Sequence, residues 1–169
     1  AASGGYWLAA SADEIYANGA SIIGSIGVVS AGFGFDRAIE RLGIDRRVYT
    51  AGERKAILDP FRPEAEEDVA RLKSLQAEIH QQFIAHVVER RGGKLKGAHE
   101  DLFSGAFWSG ETAVGLGLVD GLGDCRSVVT RRFGEEVDLM TIQPKKKLFS
   151  GIGGPVSYTH LRAHETIRH

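Results

Sequence analysis

The sequence predicts an α/β domain with helices packed on sheets. Segments with helical apolar spacing alternate with short runs rich in glycine and β-branched residues, capping residues stand at the ends of the helical segments, and the alternation continues through most of the chain. A length of 169 residues suffices for one domain with its own core.

The elements follow in order. Residues 3–10 of AASGGYWLAA read as a short helix, and SADEIYA is an acidic turn leading to a short strand near Glu14–Ala17. GASIIGSIGVVSAGFGF suits a strand and turn in a crowded sheet. FDRAIERLG has apolar residues at 35, 38, 39 and 42, with Gly43 where a C-terminal cap belongs. RRVYTAG alternates as a strand ending at Gly52 and delivers ERKAILDPFRP into a loop. Pro63, Glu64, Glu66, Glu67 and Asp68 mark a helix start, because proline is preorganised for the first turn and carboxylates favour the positive end of the dipole. Apolar positions 65, 69, 72, 75, 79, 83 and 87 carry this longest helix to Gly92. In WSGETAVGLGLVDGLGD, Ser109 caps a helix over Gly110–Leu116, Gly117 ends it, and Leu118 and Val119 begin a brief strand. A helix over Arg126–Phe133 and a strand over Val137–Ile142 complete the pattern.

Composition narrows the function. The 21 Lys and Arg are interspersed with 22 Asp and Glu for a net charge of -1, which removes the broad electrostatic case for nucleic acid. Cys125, the single cysteine, cannot form an internal disulfide, and no apolar run reaches the length of a membrane-spanning helix. The chain starts without Met in structured-looking sequence and reads as a fragment, with any signal or membrane anchor expected upstream. QPKKKLFSGIGG, within 143–154, is a basic glycine-bearing linker, and 155–169 reads as a non-native or disordered tail. His160, His164 and His169 in that tail have spacings suggestive of a metal site, but no hydrophobic frame or supporting shell accompanies them; no metal and no cofactor are expected.

Ser3 poses the chemical question. Between two alanines and two glycines it is either an N-cap accepting from a first-turn N–H, or a nucleophile whose oxyanion would meet the positive end of a helix. Similarly, Ser25 between glycines suits a tight turn, and Lys55 by itself reads as a loop cation. His80, His86 and His99 read as helix-surface or loop residues, and Phe107 and Trp108 as core.

Three segments in order resemble one family. AASGGYWLAASADEIYANGASIIGSIGVV is similar to the nucleophile region of the signal peptide peptidase A (SppA) family of serine peptidases, GERKAILDPFRP to its second signature, and WSGETAVGLGLVDGLGD to a downstream segment. The resemblance covers about residues 1–135 and implies a partial SppA-like peptidase domain over 1–142, with a Clp protease/crotonase-like fold of ββα units that is incomplete at its N-terminus. It implies Ser3 as nucleophile, Lys55 as general base, Ser25 as the residue holding the lysine amine, and Gly4 as donor of one oxyanion N–H. The family's other oxyanion donor lies in a glycine-rich segment upstream of the nucleophile, which this sequence does not contain.

A lysine base is chemically sensible, since a neutral amine can take the serine proton as attack proceeds. The resemblance further implies an endopeptidase that degrades signal-peptide remnants or other apolar peptides at the bacterial inner membrane, and a homo-oligomer whose sites are completed across subunits, with the helix over 64–91 as a candidate contact. Other readings are a capsid-maturation protease of the same family and an inactive scaffold of the same fold. A crotonase-like acyl-CoA hydratase would be expected to use carboxylates instead.

Overall fold

The computed structural model describes residues 1–52 and 54–140. Ala1–Glu136 form one compact unit in which helices and strands alternate. The second unit begins at Val137, and its described residues, 137–140, form neither helix nor strand, so the strand expected from Val137 does not start there. Residues 141–142, the linker at 143–154 and the tail with its three histidines lie outside the described residues.

Helix α1 (Gly4–Ala10) presents Tyr6 and Ala10, one turn apart, to the core, and both are fully buried. The chain turns through Asn18, whose side chain accepts from the Ala20 N–H, between strands β1 (Tyr16–Ala17) and β2 (Ile22–Gly24). Helix α2 (Asp36–Arg41) buries no residue. Helix α3 (Glu66–Arg91) has Glu66, Glu67 and Asp68 in its first turn and Arg90 and Arg91 in its last, matching charge to dipole at both ends. It starts two residues after the expected position, leaving Pro63 in the approach to the helix.

The rest is short. After α4 (His99–Leu102), strand β3 (Phe107–Ser109) leads directly into α5 (Gly110–Gly115), with Ser109 Oγ accepting the Thr112 N–H at 3.2 Å. Strand β4 (Gly121–Leu122) and α6 (Cys125–Phe133) follow, and Asp124 and Ser127 form a reciprocal capping box at the start of α6.

The strands make two sheets. β1 runs parallel to β4, with Tyr16 opposite Gly121; β2 runs antiparallel to β3, with Ile23 opposite Trp108. Ala2 extends the second pair by a parallel bridge to Gly24, so the residue before Ser3 is anchored to a strand. The core gathers Tyr6, Ile15, Ile23, Ile26, Phe83, Val87, Leu102, Leu118 and neighbours from across Ala1–Glu136.

Three expectations are corrected. Residues 44–50 form no strand: Arg46–Thr50 alternate in sequence but have no adjacent strand among the described residues, and an unpaired strand has no ladder to hold it. Leu118 and Val119 are buried but not in a strand, because both N–H groups fold back onto the Ala113 carbonyl; the strand, Gly121–Leu122, begins after Asp120. Phe107 is not core but 65% exposed, whereas Trp108 on the opposite face packs against the core.

The stripe on α3 is also only partly used. Phe83, Val87 and Arg91 are its buried residues, while Leu75 and Ile79 remain exposed, so the core grips the C-terminal portion of this helix.

Gly117 shows how closely the segment after α5 is packed. Its φ is +75°, and an added Cβ would stand 1.8 Å from the Lys94 carbonyl oxygen. Gly117→Ala is therefore expected to destabilise the domain by about 2 kcal/mol or more, read as a lower urea midpoint at unchanged slope. An unchanged midpoint would contradict this packing.

Candidate active site

Ser3 joins strand-like backbone to a helix. Its N–H donates to the Gly24 carbonyl at 2.8 Å, while its own carbonyl accepts from Tyr6 at 2.9 Å and Trp7 at 3.0 Å. To make that change of direction Ser3 adopts φ 52°, ψ −129°, a region that favours glycine and costs a residue with a side chain about 1–3 kcal/mol. Its side chain makes no capping hydrogen bond, and the residue is exposed. The N-cap account of Ser3 therefore has no bond to support it. Gly4 is exposed too, and among the described residues its N–H donates to no acceptor.

Ser25 lies beside this turn. It follows Gly24, has φ 52°, and is held by its N–H to the Ala106 carbonyl at 2.7 Å and by its carbonyl accepting from Gly27 at 3.0 Å. Gly24 cannot carry a side chain here: at φ +99° an added Cβ would meet the Trp108 ring at 2.8 Å. The parallel bridge between Ala2 and Gly24 thus brings two serines in unusual backbone to adjacent positions on neighbouring segments.

Lys55 is on a separate, exposed loop. Its N–H donates to the Gly52 carbonyl at 3.2 Å, and three residues later Leu58 takes φ 53°. Arg54 is paired with Glu67 of α3 at 2.9 Å, so its charge is partly neutralised there. The loop is closed by Asp59, which accepts from Arg46 Nε at 2.9 Å and from the Phe61 N–H at 3.0 Å. The Arg46 guanidinium, then the Phe61 N–H, hold the Asp59 carboxyl below its ordinary range. Arg46 also lies 5.0 Å from the Phe61 ring centre, and Phe61 stacks on Phe35.

Among the described residues no hydrogen bond joins Ser3 Oγ to Lys55 Nζ. A groove of about 1040 Å³ runs along the lysine-bearing segment, lined by Phe33, Val48, Ile57, Leu58 and Leu72 among others, and neither Ser3 nor Ser25 lines it. Within one chain the structure brings Ser3, Gly4 and Ser25 together and leaves Lys55 apart from them in its bonding.

Two histidines differ from the sequence expectation. His80 and His86 of α3 are half-buried, the first bonded to the Ile26 carbonyl at 3.0 Å and the second to the Trp7 carbonyl at 3.1 Å. No local signal marks them, since their partners lie 54 and 79 residues away. No cluster of three potential metal-ligating side chains occurs among the described residues, nor is any of their helices long and apolar enough to cross a membrane.

A mixed α/β domain in which an exposed serine opens a helix from strained backbone is an architecture of serine hydrolases. Comparison with known proteins specifies which one. Residues 1–138 match the model of peptidase family S49, and the chain belongs to that family. Family membership brings with it a Clp protease/crotonase-like fold, to which the mixed helices and strands conform in outline.

A protein of Brucella abortus named as the Na(+)/H(+) antiporter NhaA is 54% identical over 171 residues, covering 97% of this chain and 23% of that protein. An Enterococcus faecium protein named as a signal peptide peptidase, SppA, is 32% identical over 73% of this chain and 36% of its own length. A Synechocystis protein named as a protease is 33% identical over 90% of this chain and 57% of its own length. The chain thus spans about a quarter to somewhat over half of these curated relatives.

Proposed function

We propose that this chain supplies the Ser-Lys dyad of a serine endopeptidase. Ser3 Oγ attacks the peptide carbonyl carbon while its proton passes to neutral Lys55 Nζ, and the Gly4 N–H donates to the oxyanion that forms. The lysine then protonates the leaving amine as the C–N bond breaks, and water hydrolyses the acyl-enzyme ester. Ser25 holds the lysine amine on target. The reaction requires no cofactor.

The observation that carries this reading is Ser3 itself: the residue is exposed, and its side chain is free of the capping bond that would otherwise explain a serine at a helix start. The substrates are extended apolar peptides, signal-peptide remnants among them, met at the bacterial inner membrane. The fold is of ββα units, and the site is completed in a homo-oligomer, Lys55 of one subunit serving Ser3 of another. Support for the assembly comes from the exposed Leu75 and Ile79 on α3 and from the segment with α2, where Phe33, Leu42 and Tyr49 are exposed.

The test is labelling of the full-length protein by a serine-directed fluorophosphonate. Wild type should label, and Ser3→Ala and Lys55→Ala should not. Mixing the two variants under conditions of subunit exchange should restore labelling to about a quarter of wild type, because a random ring pairs an intact Ser3 with an intact Lys55 at one interface in four. Absence of labelling in wild type would favour the inactive scaffold. Absence of rescue with proven exchange would place both residues of the dyad in one subunit.

A further inference from the structure

Helix α3 touches both serine-bearing segments through polar side chains, the half-buried His80 and His86 and the exposed Arg90. His86 Nε2 bonds the Trp7 carbonyl of α1 at 3.1 Å, and Arg90 donates to the carbonyls of Ala10 at 3.4 Å and Ser11 at 2.9 Å. His80 Nε2 bonds the carbonyl of Ile26 at 3.0 Å. A carbonyl oxygen can only accept, so Nε2 of His80 carries the hydrogen and donates. One rigid helix thereby grips the body of the Ser3 helix at one point and the turn after Ser25 at another.

The turn needs that grip. Ser25 is held at φ 52°, and such conformations persist only where the surroundings determine them. The residue is flanked closely by Gly24 and Gly27, whose backbones resist rotation least. Its upstream peptide is fixed by the bond from the Ser25 N–H to the Ala106 carbonyl. Downstream, Gly27 donates back to the Ser25 carbonyl, and the carbonyl of fully buried Ile26 is oriented by His80. Without His80 that carbonyl loses this partner in the interior, and the peptide between Ile26 and Gly27 is less constrained.

The geometry points to His80 as a positioning residue for the Ser3 and Ser25 site. It touches no reacting atom. It orients the Ile26 carbonyl, and through it the backbone that aims the Ser25 side chain, relative to the helix that begins at Ser3. The inference rests on the dyad reading, because Ser25 needs aiming only if it holds the lysine amine.

The experiment measures peptide hydrolysis and fluorophosphonate labelling of the full-length protein as wild type, His80→Leu, His80→Gln and Ser3→Ala. Leucine removes the donor, whereas glutamine places an N–H at similar reach. His80→Leu should lower kcat about 10- to 100-fold with KM within about twofold, the scale of a misplaced catalytic group. His80→Gln should recover most of the loss; His80→Leu should melt somewhat lower, because the Ile26 carbonyl loses its partner, yet remain folded at the assay temperature, and both variants should assemble as wild type. Wild-type kcat in His80→Leu, a change confined to KM, or a loss that glutamine does not reverse would overturn the assignment of His80 and leave the dyad standing. Labelling that persists in Ser3→Ala would overturn the dyad, and the role of His80 with it.

Discussion

Peptidase activity and phosphonate labelling are expected to fall by at least about 10³-fold in Ser3→Ala, the scale on which removal of an activated nucleophile acts. Stability should barely change. A serine acting as an N-cap would cost about 0.5–2 kcal/mol on replacement by alanine, but the Ser3 side chain makes no capping bond to lose. Ser3→Gly separates the two roles further. At φ 52° and ψ −129° glycine relieves strain of about 1–3 kcal/mol and adds about 0.5–1 kcal/mol of unfolded-state entropy, so this inactive variant should be as stable as wild type or more so. Thermal or urea unfolding of the three proteins alongside labelling decides the matter. A destabilised Ser3→Ala that still labels would return Ser3 to a structural role.

The second large effect is on stability, at Asp120. Arg91 is almost completely enclosed, and its guanidinium donates to the Gly117 carbonyl from Nε at 3.0 Å and Nη2 at 2.9 Å and to Asp120 from Nη1 at 2.9 Å. Asp120 also accepts from Lys94 at 2.6 Å and from the Ile15 N–H at 2.7 Å. One carboxylate therefore ties the end of α3 to the approaches of β1 and β4. Next to it, the Tyr6 hydroxyl donates to the Leu118 carbonyl at 2.7 Å, and burial raises its phenol above the ordinary range. Asp120→Ala leaves Arg91 buried without its counter-charge and should cost about 3–5 kcal/mol, measured by urea unfolding. A loss below about 1 kcal/mol would mean that the ion pair and its hydrogen bonds hold little together.

Acid should reveal the same group. Burial raises the Asp120 carboxyl, but hydrogen bonds from Arg91, Lys94 and the Ile15 N–H outweigh it and bring the pKa to about 2, below its ordinary 3.8. A depressed folded-state pKa means that the contribution is fully present above the unfolded value and is lost as pH falls through the folded one. Wild type should therefore lose stability between about pH 4 and pH 2, and Asp120→Asn should lose less over that interval. Equal slopes for the two proteins would assign the acid sensitivity elsewhere.

Much of the architecture is legible locally because it rests on local chemistry. Pro63 and the acidic run announce α3, Ser109 and its neighbours announce α5, and the spacing of Phe35, Ala38, Ile39 and Leu42 announces α2, whose helix is Asp36–Arg41. The candidate residues Ser3, Gly4, Ser25 and Lys55 were legible as a pattern of residue types at three places along the chain. Strands fared worse. A strand is stable only beside another, so alternation at Arg46–Thr50 was not enough, and the three residues of β3 were too few to show a period.

By itself, then, the sequence determined the α/β class, the main helices, the family and the residues from which a Ser-Lys site is proposed. Tertiary structure alone decided the rest. It set the backbone of Ser3 and Ser25, because their positive φ angles are enforced by Gly24, Ala106 and other residues remote in sequence or on a neighbouring segment. It turned His80 and His86 from apparent surface residues into anchors, since only folding brings α3 against Ile26 and Trp7. It also determined that the Ala2–Gly24 bridge gathers Ser3 and Ser25 while, among the described residues, no hydrogen bond joins Ser3 to Lys55. Side-chain chemistry is written residue by residue, whereas strain, burial and proximity exist only between segments that have already met.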